Sequence, residues 1–121
     1  MRAAIVGTGF IARVHAIALQ AIGVELAAVC GRTPEGAKAF GAGRPYDDLS
    51  TLLAGEDVDV LHVCTPNAVH AQQAIAAIEH GIHVVCEKPL AISTPIARSA
   101  IAWTRAMKPV PTIAARISAR R

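Results

Sequence analysis

A chain of 121 residues has room for one domain, and its composition of 53% hydrophobic and 17% charged residues excludes a disordered protein. Three widely spaced cysteines exclude a disulfide scaffold and a CxxC metal or redox pair. All nine acidic residues lie within residues 1–90, whereas residues 91–121 carry six basic residues and no acid. The sequence therefore predicts a domain over residues 1–92 and a basic tail over residues 93–121.

No membrane or export segment is expected. The longest stretch without a formal charge, residues 60–78, contains Pro66, Asn67 and several other polar residues, so it cannot cross a bilayer. Near the N-terminus, Gly7 and Gly9 interrupt the apolar run and Arg13 follows it, which is unlike a signal peptide. We therefore expect a cytoplasmic protein.

Short β-rich segments alternate with helical patterns along the first 92 residues. Strands are predicted at residues 2–6, 24–30, 58–64 and 82–86, with a very short one at Tyr46. Helices are predicted at residues 10–22, 34–40 and 67–80, and from Asp47 or Asp48 to Leu53. This alternation predicts an α/β fold, a doubly wound parallel sheet of the Rossmann type, with its ligand site at the carboxyl ends of the strands.

Two helical patterns can be described by their spacing. The first helix has one apolar face, formed by Ile11, Val14, Ala18 and Ile22. The tail keeps helical spacing to about residue 107, before Pro109 and Pro111 stop it, and the residues beyond are expected to be irregular. Its six basic residues lack interleaved aromatic ones, so we expect no specific nucleic-acid partner.

The first candidate site is a GxGxxA segment between the first strand and the first helix. It consists of Gly7, Thr8, Gly9, Phe10, Ile11 and Ala12. Gly7 permits a tight turn, Gly9 lets the backbone approach a pyrophosphate, and Ala12 allows close packing of helix and strand. The free amides of the new helix favour phosphates. The segment predicts a dinucleotide cofactor, and the alternative is an ordinary strand-to-helix turn.

The end of the second strand bears on the choice between NADP and NAD. An acidic residue about 20 positions after the glycines usually holds the adenosine ribose of NAD, but Gly31, Arg32 and Thr33 stand there instead. No carboxylate would repel a 2′-phosphate, and Arg32 and Thr33 could donate hydrogen bonds to one. NADP is therefore favoured over NAD, and the alternative is that Arg32 is a solvated turn residue.

A further candidate follows the third long strand, where Thr65, Pro66 and Asn67 precede His70 by about one helical turn. Pro66 shapes the turn. Asn67 either caps the next helix or contacts the cofactor, and the two roles are compatible.

The last candidate, formed by Glu87, Lys88 and Pro89, follows the final strand. A lysine at this edge could orient a hydroxyl or stabilise negative charge that develops on a carbonyl oxygen. Pro89 could hold the turn through a cis bond. Spacing alone favours a surface lysine paired with Glu87.

Metal and thiol chemistry are not expected. No pair among His62, His80 and His83 has convincing ligand spacing, so we predict no metal site. The three cysteines each end a strand and are expected to be buried, inert thiols: Cys30, Cys64 and Cys86.

Four segments together resemble, in order and spacing, the N-terminal domain of the Gfo/Idh/MocA oxidoreductases, the group of glucose-fructose oxidoreductase and inositol dehydrogenase. They are GTGFIARVHAIAL, VCGRTPE, VDVLHVCTPNAVH and GIHVVCEKPLA, within residues 1–92. The resemblance implies that Lys88 is catalytic and contacts substrate near the nicotinamide, and that the proline after it is cis. It also implies that the turn of Thr65, Pro66 and Asn67 lies against the cofactor.

The same resemblance assigns further cofactor-edge positions. His15 and His70 match family positions, as structural or cofactor-edge residues, and Glu87 and Lys88 join the candidate cofactor contacts.

By this resemblance the chain is an NAD(P)-dependent oxidoreductase domain that transfers hydride between nicotinamide and a sugar, cyclitol or related alcohol or carbonyl compound. Family members continue into a second α+β domain with the substrate pocket and a catalytic histidine, whereas this sequence ends at Arg121. We therefore expect substrate only where a second domain is supplied, and a tail that departs from the family through a frameshift or premature end of the reading frame. Without the second domain, the sheet face that this domain normally covers would be exposed, which predicts a homo-oligomer or aggregation. The alternative is a non-catalytic dinucleotide-binding module or an inactive truncated fragment.

Overall fold

The computed structural model describes residues 1–91. Its strands are β1 (Arg2–Val6), β2 (Glu25–Cys30), β3 (Arg44–Tyr46), β4 (Val60–Val63) and β5 (His83–Cys86). Its helices are α1 (Phe10–Ala21), α2 (Pro34–Ala39), α3 (Leu49–Gly55) and α4 (His70–Glu79), with a 3-10 turn over Asn67–Val69. All five strands pair in parallel in the order β3-β2-β1-β4-β5. The predicted doubly wound α/β fold is confirmed.

The two faces of the sheet carry separate apolar cores. Residues that alternate along a strand point to opposite faces, so Ala3 packs with Leu19 of α1 on one face. Ala4 packs with Leu52 of α3 and Ala77 of α4 on the other face. Strand order reverses at β1, and right-handed crossovers then send α1 and α2 to one side and α3 and α4 to the other.

The apolar face predicted for α1 is not the face that packs. The buried residues of this helix are Ala12 and Leu19. The predicted face is exposed along its length: Ile11, Val14, Ala18 and Ile22. Because the turn after β1 is short, it fixes the side of α1 that meets the sheet, and the small Ala12 fits there with no exposed surface.

Side chains cap the two short helices. The Asp48 carboxylate accepts a hydrogen bond from the Thr51 amide at 2.7 Å and so caps α3, one of the two predicted alternatives. The Thr33 hydroxyl accepts from the Gly36 amide at 3.0 Å and caps α2. Pro34 occupies the first turn of α2, as predicted.

The predicted helix cap at Asn67 is wrong. Pro66 occupies the position before the 3-10 turn, and the turn has no side-chain cap. The Val69 amide donates to the Pro66 carbonyl at 3.2 Å, so backbone groups close the turn themselves. Asn67 is exposed, and α4 begins only at His70.

The predicted tail helix, the irregular region after it and the boundary at residue 92 lie outside the described residues. Within residues 1–91 every helix is too short or too polar to cross a bilayer.

Candidate functional site

A cleft of about 760 Å³ opens at the carboxyl edge of the sheet, where the ends of β1, β2 and β4 meet. Strand order reverses at this point, so the segments that leave β1 and β4 turn to opposite faces and leave a crevice between them. The wall includes eight of the residues predicted to bind a cofactor: Gly7, Thr8, Gly9, Phe10, Ile11, Arg32, Thr65 and Pro66. The other six lie outside it: Ala12, Thr33, Asn67, His70, Glu87 and Lys88.

Gly7 is required by the fold itself. Its φ of +110° is strained for any residue with a side chain. A Cβ atom at this position would lie 2.5 Å from the carbonyl oxygen of Cys64. The first loop touches the end of β4 at this point, where the Cys64 amide donates to the Val6 carbonyl at 2.9 Å. Gly7 is therefore explained without any ligand.

Gly9, by contrast, has no internal structural reason to be glycine. Its φ of −80° and ψ of −169° are extended backbone open to any residue. A Cβ atom there would have no heavy atom within 4 Å. Gly9 lines the cleft directly before α1, and no side chain caps this helix of 12 residues. Open space beside uncapped helix amides suits a phosphate, so the loop fits the pyrophosphate of a dinucleotide.

Of the two residues after β2 that were predicted to donate hydrogen bonds to a 2′-phosphate, one lies in the cleft wall and the other does not. Arg32 is exposed and lines the cleft. Thr33 lies outside the wall, and its hydroxyl caps α2 through Gly36. Between β2 and these residues, Gly31 is buried, and a Cβ atom there would lie 3.0 Å from the Ala37 amide nitrogen. Packing therefore disfavours an acidic side chain at this position.

Sequence reasoning missed the segment after β3 as part of the wall, namely Asp47, Asp48 and Leu49. The Thr51 hydroxyl and amide both donate to Asp48 at 2.7 Å and lower the pKa of its carboxyl group. Burial, followed by the charges of Asp48 and Asp47, raises the pKa of the Cys30 thiol to about 11. Their position in the sequence could have identified them, because residues that follow β3 lie at the same carboxyl edge of a parallel sheet as those that follow β2.

The turn after β4 places Thr65 and Pro66 in the wall. The Thr65 hydroxyl donates to Oε1 of Gln73 at 2.5 Å, and Gln73 is a lining residue that sequence reasoning also missed. His70 lies buried beneath the turn, with Nε2 2.6 Å from the Thr65 carbonyl oxygen. His70 therefore contacts the cleft wall from the interior of the protein and does not line the cleft itself.

The segment after β5 lies beside the cleft. The Lys88–Pro89 peptide bond is cis, as the resemblance implies, and the Lys88 side chain is exposed. Oε1 of Glu87 lies 2.9 Å from Nε2 of His15 on α1, so this carboxylate contacts a histidine on the neighbouring helix. The surface pair of Lys88 with Glu87 that spacing favoured is replaced by this contact.

His62 extends the contact into the sheet. Nδ1 of His62 lies 2.9 Å from Nδ1 of His15, with the two rings perpendicular. Burial, and then the proximity of His15, lowers the pKa of His62 to about 4. His62 is therefore uncharged at neutral pH.

The free energy of unfolding should fall as the pH drops from about 6.5 towards 4. The pKa of His62 is about 4 in the folded chain against 6.5 ordinarily, so the unfolded state takes up the proton first. The stability linked to His62 is complete above pH 6.5 and is lost towards pH 4, by at most about 3 kcal/mol at roughly 1.36 kcal/mol per pKa unit.

Urea unfolding between pH 4 and 7.5 measures this loss, and His62→Gln provides the comparison because glutamine does not titrate. The variant should lose less stability than the parent over that interval. Equal losses in the two proteins would contradict the assignment to His62.

The thiols other than Cys30 are only half-buried, which corrects the prediction that all three are buried. Burial and then Glu87 raise the pKa of Cys64 to about 12 and also raise that of Cys86. Raised pKa values keep thiols protonated and weakly nucleophilic at neutral pH. Among residues 1–91, no three His, Cys, Asp or Glu side chains are grouped so that they could hold a metal ion.

Several known proteins are similar to this chain. The sequence model of Gfo/Idh/MocA, described as an oxidoreductase family with an NAD-binding Rossmann fold, matches residues 1–110. The chain is 42% identical over 98 residues to 4-carboxy-2-hydroxymuconate-6-semialdehyde dehydrogenase of Sphingobium sp., covering 77% of this chain and 31% of the relative. It is 36% identical over 99 residues to scyllo-inositol 2-dehydrogenase (NADP(+)) of Bacillus subtilis, covering 78% and 30%.

A solved structure shows the same fold. The WlbA dehydrogenase of Bordetella pertussis, in complex with NADH and UDP-GlcNAcA, matches with a TM-score of 0.76 and 35% identity. The match covers 87% of this chain and 34% of that one. The chain thus spans about a third of the length of the proteins it matches.

Proposed function

The chain belongs to the Gfo/Idh/MocA oxidoreductase family, and from that premise we propose that it is the cofactor-binding domain of an NAD(P)-dependent oxidoreductase acting on a sugar, cyclitol or related alcohol or carbonyl compound. When bound, the cofactor supplies hydride transfer at its nicotinamide ring. The observation that carries the proposal is the open space at Gly9 beside the uncapped start of α1. The names of relatives that act on inositol or bind a nucleotide sugar support the substrate class. The cytoplasm remains its predicted location.

We assign the pyrophosphate, the nicotinamide and the substrate oxygen to different segments of the chain. The backbone from Gly7 to Ile11 would hold the pyrophosphate, with helix amides donating to it, and Ala12 would let helix and strand pack closely beneath it. The turn of Thr65, Pro66 and Asn67 would face the nicotinamide end. The exposed Lys88 ammonium would donate a hydrogen bond to the substrate oxygen and stabilise negative charge there.

We further propose that NADP(H) is preferred over NAD(H). Arg32 offers a guanidinium to a 2′-phosphate in the cleft wall, and packing disfavours an acidic residue at Gly31. The Asp48 carboxylate is already bound by the Thr51 hydroxyl and amide. Both carboxylates lie in the same wall and would oppose a 2′-phosphate, and Asp47 is the one that can be neutralised without removing the cap of α3.

Thermal melting with NAD, NADH, NADP and NADPH in parallel tests this proposal on the full chain. A ligand at 100 times its Kd adds about 2.7 kcal/mol of stability, which corresponds to a shift of roughly 10 to 20 °C for a domain of this size. We expect the largest shift with NADP or NADPH. If none of the four dinucleotides shifts the melting temperature, the proposed function is wrong.

Two variants test how Arg32 and Asp47 each affect the preference for NADP(H) over NAD(H). Arg32→Ala should weaken NADP(H) binding about tenfold, or 1.4 kcal/mol, and leave NAD(H) binding nearly unchanged. Asp47→Asn should have the opposite effect, because it removes a negative charge from the same wall. Equal losses for both cofactors in Arg32→Ala would assign Arg32 to a general role and remove the argument for NADP.

The second candidate function is a binding module without turnover, and it is favoured by the position of Lys88 outside the cleft wall. A turnover assay with NADP and a panel of sugars and cyclitols distinguishes it. Cofactor-dependent melting without turnover by the chain alone supports the binding module.

A further inference from the structure

The loop that carries Lys88 is held through both of its neighbours in the chain. Oε1 of Glu87 lies 2.9 Å from Nε2 of His15 on α1. The carbonyl oxygen of Pro89 lies 2.9 Å from Nδ1 of His70, the first residue of α4. Since α1 and α4 pack on opposite faces of the sheet, the two contacts reach the loop from both sides. The Lys88 side chain between them is exposed.

We propose that His15 and His70 are positioning residues for Lys88, each fixing the backbone on one side of the lysine. The inference rests on the catalytic role proposed for Lys88. When the backbone of Lys88 is fixed, its side chain loses less conformational freedom on binding substrate. Residues that fix a reacting group in this way assist the reaction without touching the substrate.

The contact with His15 depends on which ring nitrogen carries a hydrogen. A carboxylate only accepts hydrogen bonds, so Nε2 of His15 carries the hydrogen that is donated to Glu87. The two facing Nδ1 atoms of His15 and His62 share one hydrogen, and the ring that carries it does not alter the bond to Glu87.

The contact with His70 links Lys88 to the cofactor cleft. Both partners of the ring are carbonyl oxygens, that of Pro89 at Nδ1 and that of Thr65 at Nε2, and the ring is 1% exposed. Because a carbonyl oxygen only accepts, the bond to Pro89 uses a hydrogen on Nδ1 and the bond to Thr65 uses a hydrogen on Nε2. Because Thr65 belongs to the wall of the cleft, His70 joins that wall to the lysine loop.

Amide side chains can replace one ring nitrogen at a time. An asparagine nitrogen is as many bonds from Cα as Nδ1 of histidine, and a glutamine nitrogen is as many as Nε2. At position 15 the bond to Glu87 uses Nε2, so His15→Gln should keep the loop in place and His15→Asn should release it. At position 70 the bond to Pro89 uses Nδ1, so His70→Asn should keep the loop and His70→Gln should release it.

The readout is the backbone order of Lys88, measured by 15N relaxation on the full chain, with melting curves to confirm that each variant is folded. We expect an order parameter near 0.85 in the parent and the two retaining variants, and below about 0.6 in the two releasing variants. A residue with a purely structural role would not give this reversal between asparagine and glutamine at the two positions.

The outcomes separate the inference from the proposed function. The reversed pattern supports positioning, whereas equal order at Lys88 in all four variants, or loss in all four, overturns it. Addition of NADP to the parent tests the function independently, through its effect on the amide signals of Gly7 and Gly9. If NADP leaves the amide signals of Gly7 and Gly9 unchanged while the four variants show the reversed pattern, the positioning role is supported and cofactor binding is contradicted.

Discussion

Replacement of Gly9 by valine is expected to weaken dinucleotide binding at least 100-fold, or about 2.7 kcal/mol, while the domain stays folded. A Cβ atom at Gly9 has no heavy atom within 4 Å beyond its chain neighbours, so the valine side chain enters the open space that we assign to the pyrophosphate. The backbone at Gly9 is extended, and valine adopts it without strain. The loss of glycine at a helix cap should cost about 1 kcal/mol or less of stability.

Equilibrium dialysis or calorimetry with NADPH measures the affinity, and urea unfolding measures the stability of the same variant. Gly55→Ala is the matched control, because Gly55 ends α3 away from the cleft and its added Cβ would lie 3.7 Å from the Tyr46 hydroxyl, in ordinary contact. The control should bind like the parent. Unchanged NADPH affinity in Gly9→Val would remove the main support for the proposed site.

Replacement of Gly7 by alanine should instead unfold much of the protein. The added Cβ would lie 2.5 Å from the Cys64 carbonyl oxygen, a backbone atom that moves only if β1 and β4 separate. The positive φ of +110° adds backbone strain. Together these effects should lower the free energy of unfolding by about 3 kcal/mol or more, and the melting temperature by more than about 10 °C.

Gly9→Ala is the partner experiment for this prediction, since the two glycines stand in the same loop. Its unfolding free energy should stay within about 1 kcal/mol of the parent. If Gly7→Ala unfolds at the same urea concentration as the parent, then the close approach between the first loop and β4 does not hold in solution.

The sequence predicted the sheet, because the features that form it are local. Aliphatic runs in β1 and β4 and the glycines and prolines between elements are read within a few residues of each other. The GxGxxA loop is also a local pattern, and the structure places five of its six residues in the cleft wall. Asn67 shows where local reasoning fails, since any residue of its type after Pro66 suggests a cap, whereas the backbone closes that turn alone.

Only the tertiary structure decided how these elements meet. The spacing of α1 could not show which side faces the sheet, because the turn after β1 sets the rotation of the helix and brings Ala12 inward. Asp47 reaches the cleft only because β3 ends at the same edge of the sheet as β1 and β2. His15 meets His62 across 47 positions of sequence and Glu87 across 72, and no local pattern encodes contacts at such separations. The sequence thus determined the elements and the glycine loop, whereas the packing of helices on the sheet determined the contacts that His15 and His70 make with Glu87 and Pro89.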